Sequence, residues 1–158
     1  MLAVALAGGS PVRAVEAVAV RPGTPAVDLL PAAERYQTDS DRLQVSTAPG
    51  TDGIVRRIEV RSASGKAATD WVVFALSNNT DEQLDRLIVA PHYQMAGSGL
   101  FWPDLGSARI ASVTPSQGFR PERQASNDAD IYLITLDPGS TVTLVIELAG
   151  KSLAMSLL

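Results

Sequence analysis

The chain has 158 residues, of which 46% are hydrophobic and 19% charged, so it can form one domain with a sizeable core. It contains no cysteine and a single histidine, His92, which excludes disulfides, thiolate nucleophiles, Cys-ligated metal sites and His-rich metal cages. The chain has a net charge of −4 and therefore lacks the excess of basic residues that nucleic-acid binding requires. We expect no nucleic-acid partner.

Residues 1–17 have features of the end of a secretory signal peptide. An apolar run from Leu2 to Ala7 precedes Ala14 and Ala17, and each alanine has a valine two residues before it, as signal cleavage sites require. No basic residue comes before Leu2, so we predict a signal-peptide remnant at residues 1–17 and export of the rest. A poorly ordered apolar terminus is the alternative.

Beyond residue 17 the chain alternates short apolar runs with compact polar turns, a pattern typical of strands. The spacing of about 8–12 residues between turns favours an antiparallel β-sandwich over residues 18–158. The predicted strands are Ala17–Val20, Val27–Leu30, Gly53–Arg61, Asp70–Ser77, Leu84–Ala90, Ala108–Thr114, Asp130–Leu136, Thr141–Leu148 and Ser152–Leu157.

Two of these runs carry further information. The segment Trp71–Leu76 is apolar on both faces, which predicts a central strand, and Gly53–Arg61 alternates, with Ile54, Ile58 and Val60 on one face. The best helical candidate is Pro31–Arg35, which is long enough for one turn only.

The sequence contains no apolar stretch long enough to span a membrane as a helix. Its last residues, Ser152–Leu158, are apolar and have no polar tail. We therefore expect this chain to be the N-terminal fragment of a longer protein.

The segment Pro91–Asp104 is the first candidate ligand site. It holds His92, Tyr93, Phe101 and Trp102, and aromatic side chains with polar handles on a loop suit sugars and other ring-bearing ligands. The alternative is structural: Phe101 and Trp102 would close one end of the sandwich.

The segment Ser116–Gln124 is the second candidate, because it combines Phe119 with Arg120 and Arg123. Arginine binds carboxylates and phosphates through paired hydrogen bonds, so this segment suits an anionic ligand. The alternative is an exposed loop in which the arginines pair with Glu122, Asp128 or Asp130.

No pattern predicts catalytic residues, a metal site or a cofactor. The acidic turns Asp81–Asp85 and Ser126–Asp130 lack the spacing of a calcium loop. There is no Gly-x-Ser-x-Gly elbow, and Gly97–Gly99 matches no phosphate-binding motif. We expect the chain not to be an enzyme.

Four segments together resemble a known family. They are AVDLLPAAERYQTD (Ala26–Asp39), DWVVFALSNNTDEQLDRLIVAPHY (Asp70–Tyr93), YLITLDPGSTVTLVIEL (Tyr132–Leu148) and KSLAMSLL (Lys151–Leu158). The chain resembles the type 2 periplasmic sensor domain of seven-transmembrane receptors with diverse intracellular signalling modules, as found in alphaproteobacterial GGDEF and EAL membrane proteins. The resemblance implies an all-β, jelly-roll-like β-sandwich, here of about 8–9 strands.

The resemblance also implies a function. The chain would be a periplasmic ligand-sensing domain, held at the inner membrane by C-terminal transmembrane helices that are missing here. It would bind an unknown small molecule, carbohydrate or anionic, and control cyclic-di-GMP turnover through a missing output module. A receptor with a histidine kinase as its output module would have the same sequence features in this N-terminal part. The alternatives are a free carbohydrate-binding or accessory module, and a homodimerisation domain that binds no small molecule.

Overall fold

Fourteen β-strands and one short 3-10 turn make up the part of the chain that the computed structural model describes, residues 14–65, 68–95, 101–103, 109–149 and 155–158. The 3-10 turn covers Leu30–Ala32. The strands are β1 (Ala17–Val20), β2 (Val27–Asp28), β3 (Glu34–Thr38), β4 (Arg42–Ser46), β5 (Arg57–Arg61), β6 (Thr69–Asn78), β7 (Leu84–Pro91), β8 (Tyr93–Met95), β9 (Phe101–Pro103), β10 (Ile110–Pro115), β11 (Glu122–Gln124), β12 (Ala129–Leu136), β13 (Thr141–Leu148) and β14 (Ser156–Leu157).

Two five-stranded sheets form the sandwich. The first has the order β1-β6-β13-β10, and β3 pairs with the first half of β6 while β1 pairs in parallel with its last four residues. The second has the order β11-β12-β7-β14-β2 and is antiparallel throughout. The hairpins β4–β5 and β8–β9 are separate two-stranded sheets. All-β class and sandwich architecture are thus confirmed.

The main core fills the space between the two sheets. Because side chains alternate along a strand, Val72, Phe74 and Leu76 of β6 all point to one face, where they pack against Ile88 of β7 and Ile134 of β12. These residues are fully or almost fully buried, so this core supplies most of the hydrophobic stabilisation that holds the two sheets together.

A second core lies on the opposite face of the first sheet. Trp71 and Val73 of β6 pack there against Leu43, Val45 and Val60 of the β4–β5 hairpin. The hairpin therefore adds a third layer, and β6 is buried on both faces, as its sequence predicts.

All nine predicted apolar runs contain a strand within the described residues. The five additional strands are β3, β4, β8, β9 and β11, which are short and, where their side chains are described, mostly not fully buried. The predicted helical turn is present as Leu30–Ala32, after which the chain enters β3.

The strand predicted from Gly53 begins only at Arg57. Gly53 has a φ of 74°, a turn conformation that ends the alternation, and Ile54 lies in the β4–β5 loop with 54% of its surface exposed. This part of the prediction was wrong, because the apolar spacing of Ile54 matched a strand whereas Asp52 and Gly53 form a turn.

The predicted signal-peptide remnant lies mostly outside the described residues, which begin at residue 14. Val15 is buried in the second core, and Ala17 opens β1. Cleavage after Ala14 would therefore leave both contacts intact, whereas cleavage after Ala17 would remove them. No helix in the described ranges is long and apolar enough to cross a membrane.

Candidate functional site

A buried carboxylate, Asp130, organises the end of the second sheet where β7 stops. Asp130 is 1% exposed, and its Oδ2 accepts the backbone N–H groups of Arg109 at 2.5 Å and Ile110 at 2.9 Å. These contacts connect β12 of the second sheet to the start of β10 in the first sheet.

The other oxygen of Asp130 faces two candidate site residues. Oδ1 lies 3.1 Å from Nη2 of Arg123 and 3.2 Å from Nε2 of His92. Arg123 pairs with Tyr132, two residues along β12, so Arg123 and Asp130 are diagonal neighbours on one face. Nε2 of His92 is buried and reaches ion-pair distance without hydrogen-bond geometry.

His92 is held by the turn before β12. Its backbone N–H donates to the carbonyl of Asp128 at 2.8 Å, and its Nδ1 lies 3.3 Å from the carbonyl of Asn127. The imidazole ring therefore lies between this turn and Asp130.

The protonation of Asp130 follows from its surroundings. Burial raises its pKa, but the N–H groups of Ile110 and Arg109 and the nearby His92 outweigh burial and hold the pKa below the usual carboxyl range. The carboxylate is thus charged at neutral pH. The side chain of Arg123 is 58% exposed, so this end of the sheet presents part of a guanidinium group to solvent.

The remaining candidate residues are placed differently. Tyr93 follows His92 directly and pairs with Pro103, while Trp102 and Phe101 pair with Gln94 and Met95 across the β8–β9 hairpin. The side chains in this hairpin lie outside the described part of the structure. Phe119 is half-buried against the main core, and Arg120 is exposed. Within this set the structure brings together His92 and Arg123, through Asp130.

The sequence alternatives for this region are partly resolved. Asp130 is one of the three carboxylates proposed as an arginine partner, and it does pair with Arg123. The contacts of Asp130 with the backbone of Arg109 and Ile110 had no signal in the sequence, because they join segments about 20 residues apart. Binding of a ligand to the candidate residues stays a prediction.

A groove of about 330 Å³ lies between the β4–β5 loop and one end of the first sheet. This volume falls at the lower end of the range for small-molecule sites. The lining residues are Thr47, Ala48, Gly50, Thr51, Asp52, Arg56, Ile58, Ser116, Gln117 and Thr141.

The groove is polar but balanced in charge. Asp52 Oδ2 pairs with Arg56 Nη2 at 2.5 Å, and this hydrogen bond, together with the N–H of Ile54, lowers the pKa of Asp52 to about 2. The carboxylate and the guanidinium therefore neutralise each other at any physiological pH.

Hydroxyl groups supply most of the remaining polar lining. The oxygens of Thr47 and Ser116 accept the backbone N–H groups of Arg56 and Thr143, at 3.0 and 2.9 Å, which leaves their hydroxyl hydrogens to donate. Gln117 Nε2 donates to the carbonyl of Thr141 at 2.8 Å, and its amide oxygen, which has no hydrogen bond to the described residues, can accept one. Sequence reasoning missed this groove because its walls come from three distant segments.

A second buried carboxylate, Glu147 of β13, is fully enclosed. Its oxygens accept hydrogen bonds from the hydroxyls of Ser62, Ser64 and Ser112 and from the backbone N–H of Ala63. Burial raises its pKa, but these hydrogen bonds outweigh burial and leave the pKa below the usual range. Glu147 anchors the loop after β5 and has no exposed surface for a ligand. The described residues include no group of three or more His, Asp or Glu that could hold a metal ion.

By its family, this sandwich is an extracellular sensor domain of a membrane receptor. The chain matches the 7TMR-DISM extracellular 2 family over residues 31–157, most of its length, and it belongs to that family. This confirms the resemblance seen in the sequence. No curated protein and no solved structure matches the chain.

Proposed function

We propose that this domain senses a small, neutral, polar solute in the periplasm, with carbohydrates as the favoured class, and that the solute binds in the groove. The observation that carries the proposal is the lining of the groove: hydroxyls and an amide surround a neutralised Asp52–Arg56 pair. A charged ligand would find no net opposite charge there, whereas a polyhydroxylated one could both donate and accept hydrogen bonds.

The position of the groove suits a sensor. One wall is the β4–β5 loop, which belongs to the third layer, and the other wall is formed by Ser116, Gln117 and Thr141 at the end of the first sheet. A ligand that bridges the two walls would favour the arrangement in which the hairpin is closed against the sheet. Such differential affinity is what a receptor needs to change its state.

The test is a titration of the isotope-labelled domain with neutral monosaccharides and disaccharides, followed by amide chemical shifts. We expect shifts at Thr51, Gln117 and Thr141. Thr141→Val should weaken binding about fivefold, the effect of one lost hydrogen bond. Thr135→Val, on the second sheet, is the matched control and should leave the affinity unchanged.

A second candidate ligand is a small anion at Arg120 and Arg123, because both side chains are exposed. Citrate and inorganic phosphate serve as the probes in the same titration. Shifts confined to residues 120–123 with these anions, without a response to the sugars, would contradict the groove assignment and favour the anionic site.

We also propose that the domain is tethered to the inner membrane and controls cyclic-di-GMP turnover through an output module. The support is the family membership, to which the sequence adds a resemblance to membrane proteins with GGDEF and EAL modules. Reading the gene beyond the codon for Leu158 tests this. Transmembrane helices followed by a GGDEF or EAL motif are expected, whereas a histidine kinase motif would contradict the cyclic-di-GMP assignment. A stop codon would favour a free binding module.

A further inference from the structure

Two adjacent aliphatic side chains stand out from the surface. Ile54 is 54% exposed and Val55 is 45% exposed, and among the large hydrophobic residues that the structure describes only Leu158 is comparable. Single exposed hydrophobic residues are common, but two neighbours directly after the turn of one loop form a small apolar patch. We call Ile54 and Val55 the apolar tip.

The loop that carries the apolar tip is extensively hydrogen-bonded. Asp52 Oδ1 accepts the N–H of Ile54 at 3.0 Å, the N–H of Gly50 donates to the carbonyl of Ile54 at 3.1 Å, and Arg56 closes the loop through Asp52. Gly53 provides the positive φ that the turn requires. These contacts fix the backbone in a form that turns the two side chains outward.

The charge around the tip differs from that of the rest of the chain. Residues 41–61 contain four arginines and three carboxylates, whereas the whole chain has a net charge of −4. The carboxylates are used in the ion pairs Arg42–Glu59, Arg56–Asp52 and Arg61–Asp41. Arg57, at the start of β5 and two residues after Val55, is exposed and forms no ion pair within the described ranges.

We propose that the apolar tip and Arg57 dock this domain onto the anionic surface of the lipid bilayer that its receptor occupies. Shallow insertion of aliphatic side chains with an arginine at the headgroups is a known interfacial binding mode. The bilayer is favoured over a second copy of the chain, because two side chains fall far short of the roughly 800 Å² per partner that a stable dimer buries.

Weak affinity is sufficient for this role. A domain attached to its membrane meets the lipid surface at high effective concentration, so a contact that recruits the free domain only weakly still sets the orientation of a tethered one. The proposal rests on the membership of a membrane-receptor family and on the loop, and it does not depend on the ligand proposed for the groove.

The absence of cysteine allows a direct test. Val55→Cys provides a single site for an environment-sensitive fluorophore, and Asp81→Cys, in the exposed turn between β6 and β7, is the matched control. Each labelled chain is mixed with vesicles of phosphatidylcholine alone or with phosphatidylglycerol added. We expect a blue shift for the Val55 label with phosphatidylglycerol, a much smaller one with phosphatidylcholine alone, and none for the Asp81 label.

Two substitutions in the Val55-labelled chain complete the experiment. Arg57→Ser should weaken binding to phosphatidylglycerol vesicles about fivefold, the contribution of one arginine near an anionic surface. Ile54→Ser should weaken binding by at least as much. An equal response to both vesicle types, no response to either, or a blue shift that grows with protein concentration without lipid would each overturn the proposal, the last in favour of self-association.

Discussion

Glu147 illustrates how one buried charge is stabilised by hydrogen-bond donors, with no cation paired to it among the residues that the structure describes. Hydroxyl and backbone donors of the first three residues after β5, together with Ser112, surround its two oxygens. An ionised carboxylate that accepts several such bonds is stable in the folded state, and the donors in turn need an acceptor.

Glu147→Gln is expected to lower the free energy of unfolding by about 2–4 kcal/mol, because the amide NH₂ would face donors that then lack an acceptor. Urea unfolding measures this change. The matched control is Glu122→Gln on the exposed strand β11, with an expected change below about 0.5 kcal/mol. Equal effects of the two substitutions would show that Glu147 is not held by these bonds.

At the scale of strands and turns, Asn78 joins the two sheets at one end. It is fully buried at the last position of β6, and its Nδ2 donates to the carbonyls of Glu82, Leu136 and Asp137 at 2.7–3.2 Å. Its Oδ1 accepts both the N–H and the hydroxyl of Thr80. One side chain therefore fixes the β6–β7 turn against the β12–β13 turn.

Asn78→Ala should destabilise the domain by about 2–4 kcal/mol, since three carbonyls and the Thr80 donors lose their partner in a buried place. Thermal and urea unfolding report the loss. The adjacent Asn79 is exposed, so Asn79→Ala provides the control and should be close to neutral. A small loss for Asn78→Ala, comparable with that of Asn79→Ala, would contradict the role assigned to this side chain.

The buried strands were predictable, because short continuous apolar runs such as those of β6 and β13 indicate strands that are buried on both faces. The strands β3 and β4 were not, because their polar and charged residues alternate with residues that pack in the second core. Their pairing depends on a surface already formed by distant segments.

Prediction of the functional site from sequence is limited in the same way, because it also depends on contacts between distant segments. Arg123 and Asp130 are seven residues apart, so their pairing could be proposed from sequence. The groove depends on the meeting of residues near positions 50, 117 and 141, and no local pattern reports such a meeting.

At the scale of the whole molecule, Asp130 and Glu147 make stability depend on pH. Both pKa values are lower in the folded chain than in the unfolded one, so the stability they supply is complete above the ordinary carboxyl range. It is lost as the pH falls through that range toward the lower pKa values of the folded state.

We expect the free energy of unfolding to be nearly constant from neutral pH to about pH 5 and to decrease below it. Urea titrations at a series of pH values, followed through the buried Trp71, measure this profile. Glu147→Gln should flatten the acid limb. An unchanged acid limb in this variant would mean that other carboxylates determine it.

The place of β14 in the second sheet has a consequence for the order in which the domain forms. Ser156 and Leu157 pair on one side with Val89 and Ile88 and on the other with Asp28 and Val27, so β14 separates β2 from β7. During synthesis the facing edges of β2 and β7 stay open until residues 156 and 157 leave the ribosome. Open edges invite pairing with other chains. The second sheet therefore closes only after residues 156 and 157 have emerged, and the facing edges of β2 and β7 need protection until then.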